Sequence, residues 1–329
     1  MNALATTGAK PAFLIAEPDR FSEEAVSILS ETASVTLEAI GQIDMAAALR
    51  RYDGIWIRLG LKVGVADIPQ SPDALRCRYL VAATTGTDHV DVACCEAQGI
   101  QFFCLRGHDE FLETVRVTAE HALGLLLGLA RRVPAAFRSV QAGQWERDRF
   151  HGIELQGKTA GVVGLGRLGR AMSGYLAALG LNVIAYDPYI DSSIAEALNV
   201  RLVASLPDLL DACDIVSLHV KLTEETAGMI GEREFSQMRA GTLLVNTSRG
   251  HVIDESALLN ALVSGHLGGA GLDVLAGEPA IGEDNPLVRY ARERDNLLIT
   301  PHIGGAVDGV MQRCETYLAG VVRDAMRTA

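Results

Sequence analysis

Positive charge is in short supply in this chain. Its 29 Lys and Arg stand against 41 Asp and Glu, which leaves a net charge of −12. That balance argues against nucleic acid or an anionic membrane as the main partner, though not against a local basic pocket for a small anion. Metal-site spacing is missing too. The six cysteines (Cys77, Cys94, Cys95, Cys104, Cys213 and Cys314) form no CxxC or finger pattern, so no metal is expected. No secretory leader is evident, and the thiols read as reduced, mostly buried groups of a cytoplasmic protein. Long apolar runs are absent. The best candidate, Ala119 to Ala130, contains Glu120, His121 and two glycines and is too short to span a bilayer. No internal repeat or low-complexity segment is evident.

What the chain does have is apolar content, 49% over 329 residues, enough for two packed domains of about 150 residues each. Residues 1–10 read as a disordered or tag-like start. Short apolar strands are expected at Ala12–Ala16, Gly54–Arg58, Tyr79–Ala83 and Ile100–Phe103, with helices between them such as Ser22–Leu29 and Met45–Arg51. A helix follows from about Thr118 to Ala142, which Pro134 must kink or split. A second strand series runs through Thr159–Val163, Asn182–Tyr186, Asp214–Leu218, Thr242–Asn246, Gly269–Asp273 and Leu297–Thr300. Strands alternating with helices place the chain in the α/β class, as two doubly wound parallel sheets.

The second series opens on a specific pattern. Gly164-Leu-Gly166-Arg167-Leu168-Gly169 follows a strand, opens a helix, and is answered by Asp187 at the end of the next strand. This is the dinucleotide-binding fingerprint, with the acidic residue about 20 positions beyond the glycines. Gly164 permits a tight turn, Gly166 lets backbone approach a pyrophosphate at the helix N-terminus, and Gly169 lets helix and strand pack closely. Asp187 accepts from a ribose diol. The residues after it, Pro188-Tyr-Ile-Asp191, offer no cation for a 2′-phosphate, so NAD is expected over NADP. Asp187 itself is expected at an exposed strand end, with little weight in stability.

Ligands of doubly wound sheets bind beyond the carboxyl ends of the strands. Three such ends carry Arg249, Glu278 and His302. Transfer of a hydride to a ketone leaves negative charge on oxygen and needs a proton donor, for which His is the natural choice. A carboxylate on its other nitrogen fixes the tautomer and holds the imidazolium. An Arg fork grips a carboxylate and polarises the neighbouring carbonyl. Taken singly, Arg249 also reads as a solvated loop residue, Glu278 as a turn residue and His302 as a satisfied loop histidine. Their shared placement at strand ends favours the chemical reading.

These segments resemble the D-isomer-specific 2-hydroxyacid dehydrogenase family, from about Asp53 to Cys314. Gly143-Gln-Trp-Glu-Arg147, Glu154-Leu-Gln-Gly-Lys158-Thr, Asn246-Thr-Ser-Arg249-Gly, Asp254-Glu-Ser-Ala-Leu258 and Gly271-Leu-Asp273-Val are closest to its D-3-phosphoglycerate dehydrogenase branch. The resemblance implies a Rossmann cofactor domain over 113–301. It also implies a discontinuous, flavodoxin-like substrate domain over 1–112 and 302–329, with a cleft between the two. It makes His302 the acid/base, Glu278 its partner and Arg249 the substrate anchor. Cofactor contacts are implied for Thr85, Gly164, Gly166, Arg167, Leu168, Gly169, Asp187, Thr223, Thr247, Ser248, Asp273 and Gly305, with NAD as the cofactor. Substrate contacts are implied for Arg58, Thr85, Gly86, Arg249 and His302. A homodimer through the segment around 113–156 is implied, and the implied substrate is phosphoglycerate- or hydroxypyruvate-like.

Departures from that branch cluster in the first domain. Thr84 replaces the first glycine of the loop that carries Thr85 and Gly86. Arg58-Leu-Gly-Leu61 stands where the branch has Arg-Ser-x-Thr, which removes two hydroxyl donors, with Lys62 as the nearby substitute. The acidic stretch from Arg106 to Thr114 reads either as a surface insertion or as a lid. Arg116 beyond it reads as solvated, or as a partner for a second anionic group. The chain ends after one C-terminal helix, so the serine-sensing domain of longer relatives, and serine feedback through it, are not expected. The competing reading is an NAD-sensing dimeric scaffold resembling the corepressors built on this fold.

Overall fold

The apolar runs become parallel strands because both faces of each are covered. A computed structural model describes residues 10–69 and 74–328. The start read as tag-like lies, Lys10 apart, outside the described residues. Five strands form one sheet: β1 (Ala12–Ile15), β2 (Ser34–Leu37), β3 (Gly54–Ile57), β4 (Tyr79–Ala82) and β5 (Gln101–Cys104). Their order is β2-β1-β3-β4-β5, parallel throughout, with the winding reversed between β1 and β3. Phe13, Leu14 and Ile15 point to alternate faces, and all three are fully buried. Leu14 packs with Met45, Leu49, Ile57 and Leu80. Phe13 and Ile15 pack with Leu29 of the helix Glu23–Ser30 and with Leu318 and Val322 of the C-terminal helix Val310–Thr328. Each such side chain contributes about 1.5–3 kcal/mol of burial.

The acidic stretch after β5 is packed onto its own unit. Phe111 stacks on Tyr317 with ring centroids 4.0 Å apart, and His108 Nδ1 lies 2.9 Å from the Tyr317 hydroxyl. Leu112 is buried beneath it.

The second sheet holds seven strands: β6 (Thr159–Val163), β7 (Asn182–Tyr186), β8 (Arg201–Leu202), β9 (Ile215–Leu218), β10 (Leu243–Asn246), β11 (Gly269–Leu272) and β12 (Leu297–Ile299). Their order is β12-β11-β10-β9-β6-β7-β8, again all parallel, with the reversal between β6 and β9. Pro134 splits the long helix into Val117–Ala130 and Val133–Gln141, and Arg132 turns between them at φ 53°.

The chain divides into two units. One holds the described residues up to Val115 and those from Val307 on; the other is Arg116–Ala306. The boundaries expected at 112/113 and 301/302 therefore shift by a few residues. Leu112 and Val115 pack into the core of the first unit, and the loop after Thr300 is tied to the second by Asp273. His302 thus shares a unit with Arg249 and Glu278.

Candidate active site

The glycine loop leaves β6 as its sequence requires. Gly164 has φ +89°, and a Cβ there would lie 2.6 Å from the His219 carbonyl oxygen. A Cβ on Gly169 would lie 1.9 Å from the Gly164 carbonyl oxygen, so only glycine lets the helix Arg167–Ala178 start against the loop. A Cβ on Gly166 would meet nothing within 4 Å. As the N-cap of that helix, Gly166 has no side chain to close its N-terminus. The start of that helix therefore has room beside Gly166 and no side-chain cap, the setting that suits a pyrophosphate near Arg167 and Leu168.

Asp187 leaves β7 half-buried. Its Oδ2 accepts from Leu165 N at 2.9 Å and its Oδ1 from Tyr189 N at 3.0 Å. The carboxylate therefore also ties down the glycine loop, which corrects the expectation that it carries little stability. Thr223 sits in an exposed turn, and its backbone N–H donates to Thr226 Oγ1 at 2.8 Å. At the end of β9, burial pushes the His219 imidazole down to about 4. It pairs with Ser217 Oγ at 2.8 Å.

Asn246, fully buried at the end of β10, shapes the next loop. Its Oδ1 accepts from Ser248 N at 2.9 Å and Ser248 Oγ at 2.6 Å, and its Nδ2 donates to Arg249 O at 2.9 Å. Thr247 is buried, and its Oγ1 has no protein partner. A buried hydroxyl without a partner is costly unless a ligand engages it. Together with the open space over Gly166 and the Asp187 carboxylate, it fits a dinucleotide.

Asp273 ends β11 with 1% of its surface exposed. Its carboxylate accepts from Thr300 Oγ1 (2.6 Å), Ile303 N (2.9 Å) and Gly304 N (2.7 Å), and its carbonyl accepts from His302 N (2.8 Å). His121 Nε2 lies 3.2 Å from Asp273 Oδ1 and 2.9 Å from Thr300 Oγ1. This cluster holds His302 at φ 54°, a left-handed conformation that costs of order 1–3 kcal/mol for a residue with a Cβ. Gly304 is needed beside it, because a Cβ there would lie 2.9 Å from Asp273 Oδ2, whereas Gly305 borders open space.

His302 Nδ1 lies 2.9 Å from Glu278 Oε1, both side chains about a quarter exposed. With Nδ1–H committed to the carboxylate, proton transfer falls to Nε2. The loop bearing Glu278 is fixed by Glu255, whose Oε1 accepts from Ala276 N at 2.6 Å. A Cβ on Gly250 would lie 2.1 Å from the Leu275 carbonyl carbon, so the Arg249 and Glu278 loops touch backbone to backbone.

The second unit thus brings Arg249, Glu278, His302, the glycine loop, Asp187, Thr247, Ser248, Asp273 and Gly305 to the carboxyl ends of its own strands. Arg58, Thr85 and Gly86 lie in the other unit, after β3 and β4. Sequence reasoning missed Asn246, Glu255, Thr300 and His121 as supports. A buried aspartate at a strand end demands donors, and the Thr300 hydroxyl was the nearest legible one.

Among the described residues, no group of three His, Cys, Asp or Glu is placed to hold a metal, and no helix is long and apolar enough to cross a membrane.

Residues 123–304 match the family model of the D-isomer specific 2-hydroxyacid dehydrogenase, NAD binding domain. The chain is 38% identical over 295 residues to a D-3-phosphoglycerate dehydrogenase of Archaeoglobus fulgidus, covering 89% of this chain and 53% of that one. It is 35% identical over 317 residues to the Mycobacterium tuberculosis protein of the same name, covering 96% and 57%. The chain therefore spans little more than half the length of these relatives. Among solved structures, a D-lactate dehydrogenase from Aquifex aeolicus complexed with NAD and lactic acid superposes with a TM-score of 0.80 at 26% identity, over 96% of both chains. A structure described as the pyruvate reductase of Chlamydomonas reinhardtii gives 0.82 at 25% identity, over 97% of both.

Proposed function

The chain belongs to the D-isomer-specific 2-hydroxyacid dehydrogenase family, and on that premise we propose that it interconverts a D-2-hydroxy acid and its 2-oxo acid with NAD. The observation that carries this reading is the His302–Glu278 pair at 2.9 Å, on loops braced by Asp273 and Glu255. NAD, when bound along the glycine loop, Asp187 and Thr247, supplies or accepts the hydride. Arg249 grips the substrate carboxylate and polarises the carbonyl beside it. In reduction, His302 Nε2 gives its proton to the oxygen as negative charge gathers there, and Glu278 holds the resulting imidazole by Nδ1. In oxidation, the neutral imidazole takes the hydroxyl proton. The residue set suits a phosphoglycerate- or hydroxypyruvate-like acid.

We infer further that the protein is a homodimer. Val133, Phe137 and Val140 recur along one face of the helix Val133–Gln141 with more than half of each exposed, and Trp145 beyond it is 88% exposed. An apolar face of that kind suits a second copy. None of the six cysteines is in a disulfide, which suits a cytoplasmic setting. Steady-state NADH oxidation with a panel of 2-oxo acids tests the activity. Turnover with at least one supports it, and none with any overturns it in favour of a binding role.

A further inference from the structure

One face of the helix Val117–Ala130 runs along β11 in the opposite direction, and the two keep register. A Cβ on Gly269 would lie 2.9 Å from Leu129 Cδ1, and a Cβ on Gly271 would lie 3.1 Å from Leu125 Cβ. The two glycines share one face of the strand, and the two leucines are four apart on the helix. Two strand residues advance about 6.6 Å and four helix residues about 6 Å, so the series stays in step. Its next members are Asp273 and His121. Asp273 Oδ1 and His121 Nε2 meet at 3.2 Å. One turn nearer the start of the helix, Thr118 packs on the loop after β12. A Cβ on Gly304 would lie 3.1 Å from Thr118 Cγ2.

The hydrogens of this cluster follow from its partners. Thr300 Oγ1 has one hydrogen, and the 2.6 Å contact with Asp273 Oδ1 uses it, because two bare oxygens would repel at that distance. Toward His121, 2.9 Å away, the hydroxyl is therefore an acceptor. His121 Nε2 carries the hydrogen and shares it between Thr300 Oγ1 and Asp273 Oδ1. Nε2 bears hydrogen in this tautomer and in the protonated ring alike, so the hold does not depend on the charge of His121. With Ile303 N and Gly304 N, four donors converge on one buried carboxylate, and the carbonyl of the same residue holds His302 N.

We infer that His121 is a positioning residue for His302. From the helix it fixes the Thr300 hydroxyl onto Asp273, and Asp273 in turn holds the loop from which the proton is transferred. Glu278 orients the ring of His302, and His121 steadies its backbone from the other side of the loop. The inference rests on the proposed role of His302 as proton donor.

The test uses the full chain. His121→Met keeps the length of the side chain and removes the donor, whereas His121→Gln puts an amide N–H near the place of Nε2–H. Single-turnover reduction of hydroxypyruvate by NADH-loaded protein should slow about tenfold in His121→Met, less than the roughly 100-fold cost of a misplacement of about 1 Å. KM and NADH affinity should stay within about threefold, because the bond acts on the chemical step. His121→Gln should recover most of the rate. Thr300→Val removes the other end of the same bond. Adding His121→Met to it should slow the step by less than about threefold more, since partners in one network are not additive. A wild-type rate in His121→Met, no recovery in His121→Gln, or an undiminished further loss on top of Thr300→Val overturns the inference and leaves the dehydrogenase reading intact.

Histidine ring signals give a second readout that needs no turnover. In long-range proton–nitrogen correlation spectra of the neutral imidazoles, the signal lost in His121→Gln should belong to an Nε2–H tautomer. An Nδ1–H tautomer overturns the inference. If no 2-oxo acid turns over, the dehydrogenase reading fails, and the His302 ring signals decide the inference. A shift in His121→Met that His121→Gln reverses supports it, and unmoved signals overturn it.

Discussion

The backbone N–H of His302 donates to the Asp273 carbonyl at 2.8 Å, while the Asp273 carboxylate accepts from the next two residues of the same loop. One buried residue thus holds the histidine through its carbonyl and braces the backbone just after it through its side chain. Asp273→Asn turns one acceptor into a donor that faces an N–H. Stability should fall by about 1–3 kcal/mol and turnover by more than tenfold, with NADH affinity affected much less. Denaturant unfolding beside single-turnover kinetics checks this, and normal turnover in the variant would show that the loop holds without Asp273.

Glu255 acts on the partner of His302 through the loop bearing Glu278. Burial raises the Glu255 carboxyl above its usual range, with the Ala276 N–H opposing. Glu255→Gln retains an acceptor for Ala276 N and should stay within about threefold of wild type, whereas Glu255→Ala should lose about 1 kcal/mol and shift the pH profile of reduction. Equal damage in both variants would mean that charge, not the hydrogen bond, matters.

Asp187→Ala should narrow the preference for NAD over NADP, because the repulsion of a 2′-phosphate is removed. It should also lower stability by about 1–3 kcal/mol, since Leu165 N and Tyr189 N lose their acceptor. Unchanged discrimination in kcat/KM would assign the ribose to another residue.

Acid should uncover a separate pair. Asp53 is held below the usual carboxylate range. Burial opposes that shift, but the Arg76 hydrogen bonds and the Ala12 N–H outweigh it. Its folded value lies below its unfolded one, so its contribution is present above the unfolded value and is lost as pH falls through the folded one. Arg76 is half exposed, which limits the pair to about 1 kcal/mol or less. Arg76→Ala should therefore cost stability near neutral pH and almost nothing near pH 2. An equal loss at both would mean that packing, not charge, is responsible.

The central strands were legible because burial on both faces makes them continuously apolar. The edge strands β2 and β8 were not, because Ser34–Leu37 and Arg201–Leu202 sit at sheet margins with exposed, polar positions. The glycine loop was legible residue by residue, since Gly164 and Gly169 each answer a local clash and Gly166 leaves space at the start of the helix. Long-range bonds were not. Nothing in the sequence links Arg58 to Glu315, 257 positions away, or places Glu17 under Gly60. The strand-end pattern singled out Glu278 and His302 separately, and only the fold brings one carboxylate oxygen to 2.9 Å from one ring nitrogen.

The most direct measurement is single-turnover reduction of hydroxypyruvate by NADH-loaded protein, comparing wild type with His302→Ala once fluorescence has confirmed that both bind NADH. Loss of a general acid should slow the step by about 10²–10⁴-fold with NADH binding retained. A wild-type rate in His302→Ala would contradict the assignment of His302 as proton donor, and with it the role given to Glu278.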